Sequence, residues 1–240
     1  MPLKLGYDPR FGTEISTDFL VNGHTLLVGG TGSGKSIASQ YILFNLLKYK
    51  NIYPIKLFVC DFKRSGDYKD LSNHFAEAEK VTDLIIEFYE LFEKTSESNN
   101  EIQLLIIDEY QGYLNHLAQV DKRLYESIKL KISNILCLGR SRRTFIFIIV
   151  QRLSASFFPS ASGAADNFQN ILTLGNLTID SRRTVLGGEH MEDMVFEESY
   201  HPGKGEGFVL IDGKALQPIK IPYIANVDKL KATLRQLAKA

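Results

Sequence analysis

The sequence predicts a three-layer α/β/α sandwich built on a mainly parallel sheet. Short apolar runs alternate along the chain with segments of helical period, which favours strands crossing over through helices. The runs are continuous rather than alternating, as is typical of parallel strands covered on both faces. With 240 residues, 44% of them hydrophobic, the chain can bury a core as a single domain over residues 1–240. It needs neither disulfides nor a structural metal to fold.

The first half of the chain supplies most of the predicted strands. An entry segment over residues 1–22 leads to apolar runs at 24–30, 55–61, 102–108 and 145–151, each of which predicts a buried strand. Helices are predicted after Lys35, from about Leu124 to Leu138, and over residues 79–94. The last of these carries one apolar stripe formed by Val81, Leu84, Ile85, Phe88 and Phe92.

The second half of the chain begins with a segment of different amino-acid composition. Residues 152–170 are rich in serine, alanine, glycine and asparagine and predict a loop, and loops of that length inside a compact domain are usually functional. Short strands are predicted near 171–174 and 207–211. A basic amphipathic helix over 226–240 closes the chain, with Val227, Leu230, Leu234 and Leu237 on one side. This helix could pack on its own core or on a neighbour, and packing on its own core is the favoured interpretation.

Composition excludes several classes of protein. Lysine plus arginine and aspartate plus glutamate number 28 each, so the overall charge does not indicate a polyanionic partner. The two cysteines, Cys60 and Cys137, are predicted to be buried free thiols, and the five histidines show no metal-ligand spacing. No apolar run reaches 18 residues and the N-terminus does not resemble a signal peptide. We therefore expect a cytoplasmic protein without membrane contact.

The strongest motif is "GGTGSGKS" at residues 29–36, which satisfies G-x-x-x-x-G-K-[ST] between a predicted strand and a predicted helix. Glycines allow successive backbone N–H groups to surround a phosphate, and the helix N-terminus adds partial positive charge. Lys35 is expected to bridge the β and γ phosphates of ATP and Ser36 to bind Mg²⁺. The candidate nucleotide contacts are Gly30, Thr31, Gly32, Ser33, Gly34, Lys35, Ser36 and Ile37.

An acidic pair follows another buried strand in "LLIIDEY". Asp108 is suited to holding Mg²⁺, and Glu109 to orienting or deprotonating an attacking water. Strand ends are often acidic without function, so this pair is informative mainly because the phosphate loop accompanies it. Since a nucleotide switch needs only binding, the glutamate favours an ATPase over a passive binder.

The stretch "GRSRRTFIFIIVQR", residues 139–152, joins arginines to a buried strand that ends on a glutamine. In nucleoside triphosphatases that use a catalytic glutamate, an additional strand lies between the phosphate-loop strand and the Asp-Glu strand, with a polar residue at its tip that senses the γ-phosphate. Gln151 fits that position, and the buried strand would hold its amide rigidly. The alternative is a glutamine that merely ends a strand at the solvent.

Arg140, Arg142 and Arg143 precede that strand and must lie at its other end, roughly 20 Å away. They cannot reach the phosphates of their own subunit. In a ring, Arg140 could act on the nucleotide of the neighbouring subunit. A solvated basic turn or a clamp on DNA phosphates is the competing interpretation, and it suits Arg142 and Arg143 better.

Taken in order, these stretches resemble the motor domain of the FtsK/SpoIIIE DNA translocases, within the FtsK and HerA group of ring ATPases. The resemblance extends to "VCDFKRSGDY", the Asp-x-Lys segment after the second strand, to "VDKRLYESI", "TIDSRRTVLGG" and "GKGEGFVLIDG". It implies a RecA-like P-loop fold and a hexameric ring that uses ATP to move double-stranded DNA. It also assigns Arg182 to nucleotide handling and Lys122 and Arg123 to DNA contacts, although these two could be a solvated helix start.

The chain departs from the family in lacking a membrane segment and a sequence-reading C-terminal domain. A plasmid, conjugative-element or phage role therefore fits better than chromosome segregation, with a separate protein loading the DNA. Two alternatives stay open. One is a coupling or packaging ATPase of a mobile element that acts on single strands or a capsid. The other is a nucleotide-dependent adaptor that recruits replication or transfer proteins.

Overall fold

The computed structural model describes residues 1–159, 162–186 and 201–239. Ten strands occur within these ranges: β1 (Pro2–Tyr7), β2 (Glu14–Asp18), β3 (Thr25–Gly29), β4 (Ile55–Asp61), β5 (His74–Glu77), β6 (Ile102–Asp108), β7 (Thr144–Val150), β8 (Asn170–Leu174), β9 (Glu206–Ile211) and β10 (Gln217–Lys220). The helices are α1 (Lys35–Leu47), α2 (Val81–Lys94), α3 (Tyr110–Val120), α4 (Lys122–Leu138), α5 (Ile179–Leu186) and α6 (Val227–Lys239).

All ten strands belong to one sheet, in the order β2-β1-β10-β9-β8-β3-β7-β6-β4-β5. The strands from β8 to β5 pair in parallel, whereas β9, β10, β1 and β2 extend the sheet by antiparallel pairing. The predicted arrangement around the phosphate loop is confirmed, because β7 lies between β3 and β6. In a parallel sheet the carboxyl ends of neighbouring strands meet at one edge, which is where ligands bind in such folds.

Helices cover both faces of the sheet, which confirms the predicted three-layer sandwich. Successive residues of the central strands contribute to opposite cores: Ile146 and Ile148 of β7 face the core shared with α2, α3 and α4, while Phe147 and Ile149 face the core shared with α1 and α6. Every residue of β7 is buried. The strand is thus fixed from both sides, as expected for a strand that positions a side chain at its tip.

The C-terminal helix packs on its own subunit, as predicted. Leu230 and Leu234 of α6 are buried in the core that also holds α1. Lys231 forms a 2.8 Å ion pair with Asp67, and Arg235 Nε donates to the carbonyl of Lys69 at 3.0 Å. The helix therefore connects the helix behind the phosphate loop with the segment that follows β4.

One prediction about the cysteines is wrong. Cys60 is buried in β4, and burial raises the pKa of its thiol. Cys137, in contrast, is exposed in the last turn of α4. The apolar residues around it suggested a buried position, but the apolar side chains of that helix that enter the core are those of Ile128, Ile132, Ile135 and Leu136. Cys137 and Leu138 lie on the outer face.

Candidate nucleotide-binding site

The phosphate loop follows β3 at the carboxyl edge of the parallel strands. Gly32 and Gly34 have φ angles of 78° and 101°, a left-handed conformation that side chains rarely adopt. The loop rests on the neighbouring part of the sheet, because Gly205 N donates to Ser33 O at 2.8 Å. A Cβ on Gly34 would come within 3.3 Å of Gly205. Glycine is thus favoured at position 32 by backbone conformation, and at position 34 by both backbone conformation and close packing.

Lys35 opens helix α1 and folds back over the loop. Its Nζ donates to the carbonyls of Gly29 at 2.6 Å and Gly30 at 3.0 Å. Burial lowers the pKa of Lys35, against the opposing effect of the carboxylates of Glu109 and Asp108. The ammonium is held close to the loop by neutral acceptors, so it can be transferred to a phosphate oxygen without breaking an ion pair.

Asp108 ends β6 and lies opposite Asp61 of β4. Burial, and then the nearby charges of Asp61 and Glu109, raise the pKa of Asp108 to about 7. A carboxylate in this environment is stabilised by an added cation. Together with the hydroxyl of Ser36 on α1, it supplies the sparse oxygen donors that Mg²⁺ uses beside substrate phosphates. The residues present therefore fit a magnesium ion.

Glu109 stands between β6 and α3 in a strained conformation. Its φ of 60° is left-handed, which is uncommon for a residue other than glycine and is concentrated at functional sites. This residue turns the chain from strand to helix within one position, and Tyr113 N of the first turn donates to its carbonyl at 3.1 Å. The side chain is nine-tenths buried.

Lys63 is a residue of the site to which the sequence assigned no role. Its Nζ lies 2.7 Å from Glu109 Oε2, and its side chain is half exposed. Lys63 belongs to the loop after β4, which Asp61 organises by accepting hydrogen bonds from Ser65 N, Ser65 Oγ and Gly66 N. The only signal in the sequence was the Asp-x-Lys spacing of Asp61 and Lys63, and the contact with Glu109 depends on β4 lying next to β6.

Gln151 comes directly after β7, whose last residue, Val150, pairs with Val28 of β3. On the other side of β7, Ile149 pairs with Asp108. Gln151 therefore lies at the same edge of the sheet as the phosphate loop and the acidic pair, between the strands that carry them. The fold brings these predicted groups together.

The three arginines lie at the opposite edge, before β7. Arg140 is exposed in a short 3-10 turn. Arg142 Nη1 donates to Phe92 O at 3.2 Å, with its guanidinium 4.8 Å from the centre of the Phe92 ring, and Arg143 Nη1 donates to Asn100 O at 3.0 Å. A seven-residue strand spans about 23 Å, so none of them belongs to the phosphate site of its own chain.

The remaining predicted residues are spread over two helices. Lys122 and Arg123 are exposed in the first turn of α4, where Asp121 caps the helix by accepting from Arg123 N and Leu124 N, both at 2.9 Å. Cations are unfavourable at a helix N-terminus, so these two do not stabilise the helix. Arg182 lies in α5, and its side chain falls outside the described part of the structure.

No helix within the described ranges is both long enough and apolar enough to cross a membrane.

The FtsK/SpoIIIE family model matches residues 1–133, more than half of the chain. Among curated proteins, none matches this chain with significance.

Solved structures match the fold over nearly the whole chain. The EssC protein from Geobacillus thermodenitrificans (ATPases 2 and 3) matches 100% of this chain at 14% identity with a TM-score of 0.71, and the chain spans 48% of its length. The pCW3 conjugation coupling protein TcpA, with ATPγS, matches 98% at 19% identity with a TM-score of 0.72, and 70% of its length is spanned. The genome packaging NTPase B204 of Sulfolobus turreted icosahedral virus 2, also with ATPγS, matches 83% at 14% identity with a TM-score of 0.56, and 98% of its length is spanned. These matches identify the fold as the RecA-like P-loop fold.

Proposed function

Since this chain belongs to the FtsK/SpoIIIE family, we propose that its ATPase domain is a cytoplasmic, Mg²⁺-dependent motor that assembles into a hexameric ring on double-stranded DNA and moves along it. One observation carries the ATPase part: the phosphate loop, Gln151 and the Asp108–Glu109 pair follow three adjacent strands, β3, β7 and β6, and meet at one edge of the sheet. A site for binding alone would not need the buried, strained glutamate beside the loop.

Different residues of the chain have different roles in hydrolysis. Gly30 to Ile37 wrap the phosphates with backbone N–H groups, and Lys35 moves from its backbone acceptors to the β and γ phosphate oxygens. Ser36 and Asp108 would hold Mg²⁺, which neutralises phosphate charge when bound. Arg182 would assist in nucleotide handling.

Glu109 orients the attacking water and accepts its proton, while the amide of Gln151 contacts the γ-phosphate. For this role the carboxylate must be held still, and the ion pair with Lys63 restrains it from the side of β4. Attack is in line with the leaving diphosphate, so the position of the carboxylate determines the rate.

Arg140 completes the site of the neighbouring subunit. It is exposed at the end of β7 away from its own phosphate loop, which suits a group that acts across an interface. A guanidinium supplied in this way to a γ-phosphate is worth about 10³ to 10⁵ in rate. This requirement makes hydrolysis depend on ring assembly.

Lys122 and Arg123 form the principal proposed contact with DNA phosphates. Their positive charge adds to the N-terminus of a long helix, an arrangement that attracts anions instead of stabilising the helix. Arg142 and Arg143 each use one guanidinium nitrogen on their own chain and keep further donors for phosphates. Such contacts are independent of base sequence and weaken with salt.

A role in a plasmid, conjugative element or phage remains our interpretation of the process, with a separate protein loading the DNA. The similarity in fold to a conjugation coupling protein and to a viral packaging NTPase is consistent with this class of process. It equally supports the alternative of a coupling or packaging ATPase that acts on single strands or a capsid. Competition between single-stranded and double-stranded DNA separates the two.

The test is the ATPase rate with and without linear duplex DNA at low salt, for the native chain and for Lys35→Ala. We expect stimulation by duplex DNA that fades as salt rises, and no activity from the variant. Sedimentation with an ATP analogue and DNA should give a six-subunit species. A native rate indifferent to DNA at every salt concentration would contradict translocation, and a stable nucleotide-dependent complex with a partner protein would favour the adaptor role.

A further inference from the structure

A cavity of about 550 Å³ borders the phosphate loop on the side away from Glu109. Its wall begins at Gly34 and Ile37 of the loop and α1, continues through Lys204 and Gly205 before β9, and ends in the segment between β10 and α6. The volume falls within the range of small-ligand sites, about 300–1,000 Å³. The apolar residues that line it include Ile37, Ile221, Pro222, Tyr223, Ile224 and Val227.

The direction of the triphosphate favours the side of the phosphate loop on which this cavity lies. Its γ end must face Gln151 and Glu109, which lie on the β7 and β6 side of β3. The other end must then leave the loop on the β8 side, towards β9 and β10. Gly205 N donates to Ser33 O at 2.8 Å and Ile221 N donates to Gly205 O at 2.8 Å, so this wall is fastened directly to the phosphate loop.

We propose that this cavity holds the nucleoside of the substrate, with the base stacked on Tyr223, and that it distinguishes purines only weakly. The proposal rests on the proposed nucleoside triphosphatase function and deepens it. Tyr223 lines the cavity and is 89% exposed, so the face of its ring is accessible to a ligand. A tyrosine ring at the rim of an apolar cavity offers a face on which any base can stack.

Weak selectivity follows from the chemistry of the wall. Strong discrimination between bases needs hydrogen-bonding groups placed against the base edge. Among the described residues of this wall, the charged side chains are Lys204, Glu206 and Lys220. Glu206 and Lys220 pair with each other at 2.8 Å, and Glu206 Oε2 also accepts from Gly203 N. Lys204 adjoins the phosphate loop at Gly34, where its charge suits the α-phosphate.

The experiment measures the affinity of the native chain, Tyr223→Ala and Tyr223→Phe for Mg²⁺-ATP, Mg²⁺-GTP and Mg²⁺-tripolyphosphate, without DNA. Tripolyphosphate has no nucleoside and reports on the phosphate loop alone. We expect Tyr223→Ala to weaken ATP and GTP about tenfold each, as the loss of one stacked base predicts. Tripolyphosphate binding should be unchanged, Tyr223→Phe should behave as native, and the native chain should bind ATP and GTP within about tenfold of each other.

A second variant tests the competing location. A smaller cavity of about 270 Å³ touches the same loop and is lined by Gly175, Asn176 and Pro202. Loss of ATP affinity in Asn176→Ala but not in Tyr223→Ala would overturn the proposal, as would a preference for ATP over GTP above about 10³. A native chain that binds neither ATP nor tripolyphosphate would instead overturn the nucleoside triphosphatase function, and the subsite with it.

Discussion

Charged side chains lie in opposite kinds of environment at the two edges of the parallel sheet. At the carboxyl edge, burial and neighbouring acids raise the pKa of Asp108 to about 7, and burial lowers the pKa of Lys35. Each group is held where its charged form is disfavoured. At the amino edge, Arg142 and Arg143 donate to carbonyls of their own chain, which leaves their charge balanced by backbone dipoles and solvent.

This difference shows which edge is built for a ligand. Charged groups in unfavourable surroundings lower stability, and a fold retains them where a bound ion or phosphate relieves the cost. The strained Glu109 belongs to the same edge. The arginines of the other edge tie the start of β7 to α2 and to the loop before β6. Arg140 is the exception there, because it is exposed, and its role decides whether the amino edge is only structural.

The largest effect is expected from Arg140→Ala. If the guanidinium acts on the neighbouring subunit, the DNA-stimulated ATPase rate should fall by about 10³-fold or more, with an unchanged melting temperature. Mixing Arg140→Ala with Lys35→Ala subunits should restore part of the activity, because some interfaces then combine an intact phosphate loop with an intact arginine. If no mixing ratio restores activity, Arg140 does not act across the interface, and the arginines of the amino edge have only a structural role.

Glu109→Gln should lower the ATPase rate by about 10² to 10⁴-fold while nucleotide binding persists, since the amide cannot accept a proton.

Lys63→Met keeps the Glu109 carboxylate and removes only its 2.7 Å partner, so a smaller loss of ATPase rate, about tenfold, is expected. Single-turnover hydrolysis and equilibrium nucleotide binding distinguish these effects. Should both variants lose nucleotide affinity while the single-turnover rate at saturating nucleotide stays native, Glu109 and Lys63 would serve binding and not catalysis.

Much of the parallel half could be predicted from the sequence. The continuous apolar runs of β3, β4, β6 and β7 identify strands to within one residue, because burial on both faces favours apolar residues at successive positions. The motif spacing placed Lys35, Asp108 and Gln151 at one edge, since carboxyl ends of parallel strands coincide. The antiparallel half was harder to predict. In β2, buried Ile15 and Thr17 alternate with exposed residues over only five positions, too short a signal to separate from a loop.

Other features depend on tertiary contacts that no local pattern contains. The ion pair between Lys63 and Glu109 arises because β4 lies next to β6, although the chain between them forms another strand and helix. Helix α3 is a different case: its buried residues Tyr110, Tyr113, Leu114 and Leu117 have helical spacing, but the segment is short and Gly112 lowers its helix propensity. The cavity beside Tyr223 joins parts of the chain nearly 190 residues apart, from Gly34 to Tyr223, so its existence could not be predicted from motifs.

A third effect concerns His24, which is buried at the amino edge and accepts from Ile146 N through Nδ1 at 3.1 Å. Burial, with a smaller contribution from the charge of Arg140, lowers the pKa of His24 from 6.5 to about 3. In the unfolded chain the imidazole of His24 therefore binds a proton below pH 6.5, whereas in the folded chain it binds one only near pH 3. Stability from this group is present above pH 6.5 and is lost as pH falls through that window.

Between pH 7 and pH 5 the loss amounts to about 2 kcal/mol of unfolding free energy. Urea denaturation at pH 7 and pH 5 gives the difference in unfolding free energy between the two pH values. This difference should be smaller by that amount in His24→Gln than in the native chain, whatever the change in absolute stability. His201→Gln, at an exposed histidine, is the matched control and should keep the native difference. An unchanged difference in His24→Gln would mean that the fold does not disfavour the charged imidazole, and that the amino edge can hold a charge at this position without a cost in stability.

The smallest effect is expected from Arg142→Ala. The variant loses a hydrogen bond to Phe92 O and the contact of the guanidinium with the Phe92 ring, which together are worth about 1 kcal/mol of unfolding free energy at a half-exposed position. Arg140→Ala, without those contacts, serves as the control for stability. Duplex DNA affinity measured across a salt series gives the second readout, since loss of one phosphate contact lowers the salt slope by about one. A lower slope without loss of stability would show that Arg142 contacts DNA and does not tie β7 to α2, and the contrast between the two edges would then fail at this residue.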